Sequence, residues 1–83
     1  MGSIGLFKLA VMNPDKMIYE GYAEHLFLPG ETGEFELLPY HYPVLSLLKA
    51  GHIIVDWKYS IAIKKGLVKF FKNDCVVIVE LDD

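Results

Sequence analysis

What most constrains this chain is how briefly any apolar pattern runs before turn chemistry cuts it. In LFKLAVM, Phe7, Leu9 and Val11 fall on one side of an extended backbone and Lys8 on the other. That period of two marks a half-buried strand. NPDK then ends the run, because Pro14 removes a backbone donor and Asp15 suits a turn. MIYEGYAEHLFL reads as a second extended run, rich in aromatic and branched residues, with Gly21 expected at a bulge. VLSLLKAG fits a strand or a single helical turn, and periodicity does not separate the two. HIIVDWKYSIAIKK predicts a hairpin turning near Asp56–Lys58, with Tyr59, Ile61 and Ile63 sharing a face. LVKFFKNDCVVIVELDD predicts another, with its turn at Asn73–Asp74, since both residues tolerate positive φ. No segment sustains a helical period. The predicted fold class is all-β, a small β-sandwich of short, mostly antiparallel strands forming a single domain over residues 1–83.

Composition narrows the function. At 83 residues the core is thin, yet 53% of the residues are hydrophobic, too many for a disordered chain. Net charge is −3, with 11 acidic and 8 basic residues. Nucleic-acid binders need a clustered basic excess, so no nucleic-acid partner is expected. Lys64, Lys65, Lys69 and Lys72 do gather late in the chain, and strand alternation is expected to scatter them over different faces as solvated charges. The lone Cys75 cannot staple its own chain and lies in the apolar run CVVIVE, where it reads as a small buried hydrophobe in a cytosolic setting. No apolar run approaches the ~20 residues of a membrane helix, and the start lacks the pattern of a signal peptide. The leading MGS suits a tag or a flexible N-terminus over residues 1–5 as well as native sequence.

Catalytic chemistry is not visible. Ser46 and Ser60 lack a nucleophile elbow, and His25, His41 and His52 have no metal-ligand spacing. No glycine loop of the phosphate-cradling kind is present. Glu31, Glu34 and Glu36 are too few for a calcium loop, and a paired-carboxylate hydrolase needs a cleft that a module this small rarely encloses. No catalytic residue, metal site or cofactor is expected. His25 and His52 read as structural residues.

The stretch LPGETGEFELLPYHYP concentrates turn residues and acidic side chains. With Pro14, Lys16 and Gly21 before it and Leu45, Leu48, Lys49 and Gly51 after it, its order of Leu28, Pro29, Gly30, Gly33, Glu34, Phe35, Leu38, Pro39, His41 and Pro43 resembles the N-terminal domain of the epsilon subunit of F-type ATP synthases. The resemblance runs from about Leu6 to Glu80, with IAIKKGLVKFFKNDCVVIVE similar to the family's later strands. It implies a non-catalytic β-sandwich at the foot of the rotor's central stalk. One surface would pack on the gamma subunit and another on the ring of c subunits, coupling ion-driven rotation to ATP synthesis. The c-ring-facing loop would be Gly30, Glu31, Gly33 and Glu34, and the gamma-facing residues His41, Tyr42 and Ser46. The location implied is the cytoplasmic side of the bacterial inner membrane, peripheral through the complex. Phe35 and Leu38 are expected to anchor the core beneath the loop.

Some positions depart from the family pattern. Glu36 and Tyr40 stand where glycines are frequent, implying ordinary backbone there or a changed loop. Tyr42 replaces a small alanine, Lys64–Lys65 replace Ser-Gly, and the Asp56–Lys58 turn is short. The family's C-terminal helical hairpin has no counterpart after VELDD, so neither ATP binding nor inhibition of the catalytic head is expected. The alternative reading is a small β-sandwich scaffold of another assembly. A hydrolase using the glutamates is disfavoured, because no nucleophile–base pair accompanies them.

Overall fold

A computed structural model describes residues 5–82; apart from Gly5, the expectation of a tag or flexible start lies outside the described residues. Eight strands follow one another: β1 (Phe7–Met12), β2 (Met17–Ala23), β3 (Leu26–Gly30), β4 (Gly33–Leu37), β5 (Val44–Leu48), β6 (Gly51–Val55), β7 (Tyr59–Phe71) and β8 (Asp74–Leu81). No helix occurs among the described residues, so none there is long enough to cross a membrane. The all-β expectation holds, and VLSLL is a strand.

Pairing runs β2-β1-β8-β7-β5-β3-β4, with β6 between β3 and β7. Every pair is antiparallel except β1 with β8. The 13-residue β7 makes the sandwich possible. Its first half pairs with β6, its second half with β5 and β8, so one strand serves both layers. A register shift between Ile63 and Lys65 marks the change. That bulge turns Lys64 and Lys65 to the same side, where both approach Glu80, at 3.9 and 3.7 Å. The expected scattering of these lysines therefore fails, because the bulge breaks the alternation on which it relied.

Local chemistry explains the turns. Asn13 Oδ1 accepts the N–H groups of Asp15 (2.8 Å) and Lys16 (2.9 Å), closing β1 onto β2. Gly21 is not a bulge. It pairs regularly with Leu9, and the irregularity lies between Val11 and Met12, where the strand runs into the turn. The Tyr19 ring lies over Gly21, and its hydroxyl donates to the Tyr22 carbonyl at 3.2 Å. Asp56 and Trp57 take positive φ at the predicted β6–β7 turn. The β7–β8 turn is Lys72–Asn73, both left-handed, one residue before the expected position. The core decides this register: Phe71 pairs with Asp74 so that Phe70 and Cys75 both face inward, and a one-residue slip would reverse every side chain.

Phe7, Leu9 and Val11 pack with Leu26, Leu28, Leu37, Ile53, Val55, Val68, Phe70 and Val77 in the core. Phe7 meets Phe70 edge-on, with ring centroids 5.3 Å apart. Burying each such side chain contributes roughly 1.5–3 kcal/mol. Phe35 packs against this core as expected, but Leu38 does not: it is 47% exposed, and Leu37 fills the interior. Leu37 pairs with Leu26, which fixes its inward direction and leaves Leu38 beyond the end of the strand. Cys75 is buried, and that burial, helped by the Asp74 carboxylate, pushes its thiol up to about 12. It serves the core.

Candidate docking site

The acidic loop is the tip of the β3–β4 hairpin. Gly30 pairs with Gly33, leaving Glu31 and Thr32 as a two-residue turn. Gly33 has φ +148, a conformation L side chains rarely adopt. Gly30 is glycine for a different reason: a Cβ there would lie 2.4 Å from the Gly33 carbonyl oxygen and 2.8 Å from the Phe35 ring. Two further bonds tie the tip to the body. Glu31 N–H donates to the Leu47 carbonyl at 3.0 Å, and Lys49 N–H donates to the Pro29 carbonyl at 2.9 Å. The tip is thus braced by β5 and its extension. Glu31 and Glu34 stand exposed and, among the described residues, form no ion pair.

Beside Glu34 a shallow depression is floored by Phe27, Pro29 and Ile54, with Lys49 and His52 also on its wall. Glu36 behaves differently from its two neighbours. Its carboxylate lies 3.1 Å from His25 Nε2, and the His25 ring stacks on Trp57 at 4.4 Å. Asp56 Oδ1 accepts the N–H groups of Glu24 (2.9 Å) and His25 (3.0 Å), anchoring that corner. His25 is therefore structural, as expected, and Glu36 belongs to its contact rather than to the free acidic tip. No three His, Cys, Asp or Glu side chains among the described residues converge to hold a metal.

His41 and Tyr42 precede the far end of β5, whose run from Val44 to Leu48, the partner of Gly30, spans about 13 Å at the usual rise per strand residue, whereas Ser46 lies within β5 only two residues from Leu48. The loop carrying His41 and Tyr42 is shaped by Tyr40, whose φ is +67. The residue in a frequent glycine position has kept a left-handed backbone, so of the two expectations, ordinary angles or a changed loop, ordinary angles do not hold at Tyr40. Asn73 compensates, its Oδ1 accepting the Tyr40 N–H at 2.6 Å. Glu36 does sit in regular strand. His41 Nδ1 donates to the Tyr42 carbonyl at 2.8 Å and packs edge-on to Phe70, while Tyr42 is 74% exposed. Ser46 is half-buried and donates to the Leu47 carbonyl at 3.2 Å. The structure thus keeps His41 and Tyr42 apart from the acidic tip, while Ser46 shares the Leu47 carbonyl with Glu31.

Sequence reading missed an apolar outer face on β5, β7 and β8. Leu45, Leu47, Leu67, Phe71 and Ile78 all point away from the core and are exposed. The signal was present in VLSLL, where apolar residues occupy both faces of a strand instead of one. Contiguous apolar surface of this kind marks contact with another protein more often than with water.

These features can be set beside known proteins. A family model described as the ATP synthase, Delta/Epsilon chain, beta-sandwich domain matches residues 6–81. The ATP synthase epsilon chain of a Nitratiruptor species is 39% identical over 77 residues, covering 88% of this chain and 60% of that one. That of Sulfurimonas denitrificans is 36% identical over 77 residues, with 88% and 59% covered. Among solved structures, the Euglena gracilis mitochondrial ATP synthase (OSCP/F1/c-ring) contains a chain with the same fold. Its TM-score is 0.80 at 16% identity, covering 94% of this chain and 53% of that one. The central stalk/c-ring structure of the Tetrahymena thermophila mitochondrial ATP synthase gives 0.74 at 13% identity, with 88% and 62% covered. The chain spans about 60% of the length of the relatives it matches. A match over residues 6–81, nearly the whole chain, places it in the ATP synthase delta/epsilon beta-sandwich family.

Proposed function

We propose that this chain is a non-catalytic central-stalk module of an F-type ATP synthase that joins the gamma subunit to the c-ring and helps couple ion-driven rotation to ATP synthesis. Residues 6–80 act as one sandwich domain. Gly30, Glu31, Gly33 and Glu34 face the ring, and His41, Tyr42 and Ser46 face gamma. The complex holds the module at the cytoplasmic side of a bacterial membrane.

The braced acidic tip carries this reading. Its carboxylates are exposed and unpaired among the described residues, yet the backbone leading into the tip is tied at Pro29 and Glu31 to Lys49 and Leu47. A tip already ordered loses little entropy on docking, and its negative charge favours a basic partner surface. Separation of the tip from Tyr42 along one strand lets the module touch two partners at once. Torque transmission needs a stiff element between two contacts, and a hydrogen-bonded sandwich supplies one.

The test is assembly with both partners. The chain should co-purify with a recombinant gamma subunit, and a detergent-solubilised c-ring should retain the pair. Glu34→Lys should weaken ring retention while leaving the thermal melt of the isolated domain within a few degrees of wild type. Unchanged ring retention at low salt would remove Glu34 from the contact.

A further inference from the structure

Strand edges invite pairing with other chains unless something protects them. Among the described residues β2 and β4 each pair on one side only, and β5 pairs with β7 and meets β3 only at Gly30–Leu48. The first two edges carry charge: Glu20 on β2, Glu34 and Glu36 on β4. β5 reads Val-Leu-Ser-Leu-Leu and carries none. Its backbone direction can be read from its neighbours. The Leu47 carbonyl and the Lys49 N–H both reach the β3–β4 hairpin, so alternate residues of this stretch turn their peptide groups away from β7. Leu45 belongs to that set, and no strand among the described residues lies opposite it. Its side chain is 72% exposed. A groove of about 400 Å³ runs alongside, lined by Phe35, Glu36, Tyr42, Val44, Leu45 and Ser46.

We propose that the free edge of β5 at Leu45 accepts an extended strand from the gamma subunit, so that the sheet continues across the interface. This rests on the gamma-facing reading given above and adds the mode of recognition: main-chain hydrogen bonds to Leu45, with alternate apolar side chains of the incoming strand seated against Phe35 and Val44. Continuity supports gamma as the occupant, since Ser46 lies within β5 and Tyr42 at the mouth of the same groove.

Leu45→Pro tests this directly. It removes the N–H that points outward and leaves the hydrogen bonds from β5 to β7 intact, the one kind of strand position proline tolerates. Leu45→Ala keeps the N–H and removes the side chain. Binding of each variant chain to a recombinant gamma subunit should fall about tenfold more for proline than for alanine, because a partner carbonyl is left unpaired. Equal losses overturn the proposal. If circular dichroism shows that the proline variant is unfolded, amide hydrogen exchange on the unaltered chain decides: Leu45 N–H should become protected when gamma binds, and unchanged exchange overturns strand addition while leaving gamma binding in place. A wild-type chain that does not bind gamma overturns the underlying reading instead. Sedimentation of the chain alone covers the other occupant: a dimer abolished by Leu45→Pro, with gamma affinity unaltered, would assign the edge to a second copy and overturn the proposal.

Discussion

Gly30→Ala should damage both the stability of this domain and its acidic tip, for a reason that can be quantified. The added methyl would sit 2.4 Å from the Gly33 carbonyl oxygen and 2.8 Å from Phe35 Cδ1. Ordinary carbon–oxygen contact begins near ~3.3 Å, so the hairpin must open by about 1 Å. The obstructing oxygen is backbone, so no rotamer change relieves it. Overpacking of this kind costs about 1–3 kcal/mol. In a domain of this size 1 kcal/mol moves Tm by about 4–8 °C, so the variant should melt roughly 5–20 °C lower. That energy range is a net cost, because at a site that cannot take the added methyl the loss exceeds the gain of about 0.4–1 kcal/mol that alanine makes through the unfolded chain. Gly33→Ala provides the comparison, since nothing lies within 4 Å of a Cβ there and only its φ of +148 opposes the change. Its loss should be smaller. Differential scanning calorimetry measures both. Repeating Gly30→Ala in a Phe35→Ala background separates the two clashes, and most of the cost should persist because the carbonyl remains. A Gly30→Ala domain melting within about 2 °C of wild type would show that the hairpin yields without cost, and the argument for a braced tip would fail.

Other outcomes follow from the same structure. Tyr42→Asp should weaken gamma binding with little change in Tm, because the ring is exposed in the free chain; unaltered affinity in a titration would place Tyr42 outside the contact. Cys75 should resist thiol reagents until the domain unfolds, since its thiol is buried and pushed from 9.0 up to about 12; prompt labelling of folded protein would contradict that burial. The same shift has a sign for stability. Above about pH 9 the unfolded thiol ionises while the native one keeps its proton, so stability should fall as pH rises, by up to about 1.4 kcal/mol per unit. Cys75→Ala should remove that slope from denaturant titrations between about pH 9 and 11, and an identical slope in the variant would assign it to other groups.

Much was legible in the chain because its information is local. Alternation marked Phe7, Leu9 and Val11 as one buried face. Asn13, Pro14 and Asp15 announced the first turn, and Asp56–Lys58 the β6–β7 turn. The spacing of glycine, glutamate, proline and histidine pointed to the family, and its turn residues to an acidic loop, which the structure shows as a hairpin tip. Where the reading slipped by one residue, as at Leu38 and at Asn73–Asp74, a cross-strand partner set the register: Leu26 for Leu37, Cys75 for Phe70.

Tertiary structure alone decided the rest, because the contacts involved are distant in sequence. Tyr40 holds a left-handed backbone through a bond to Asn73, 33 residues away. Glu36 is drawn to His25 only because β3 and β4 pair as they do. β1 lies parallel to β8, and β7 crosses between layers at a bulge that no propensity marks. Alternation says which side chains share a face; which strand lies beside which, and which edge is left open as at Leu45, follows only when the whole core closes.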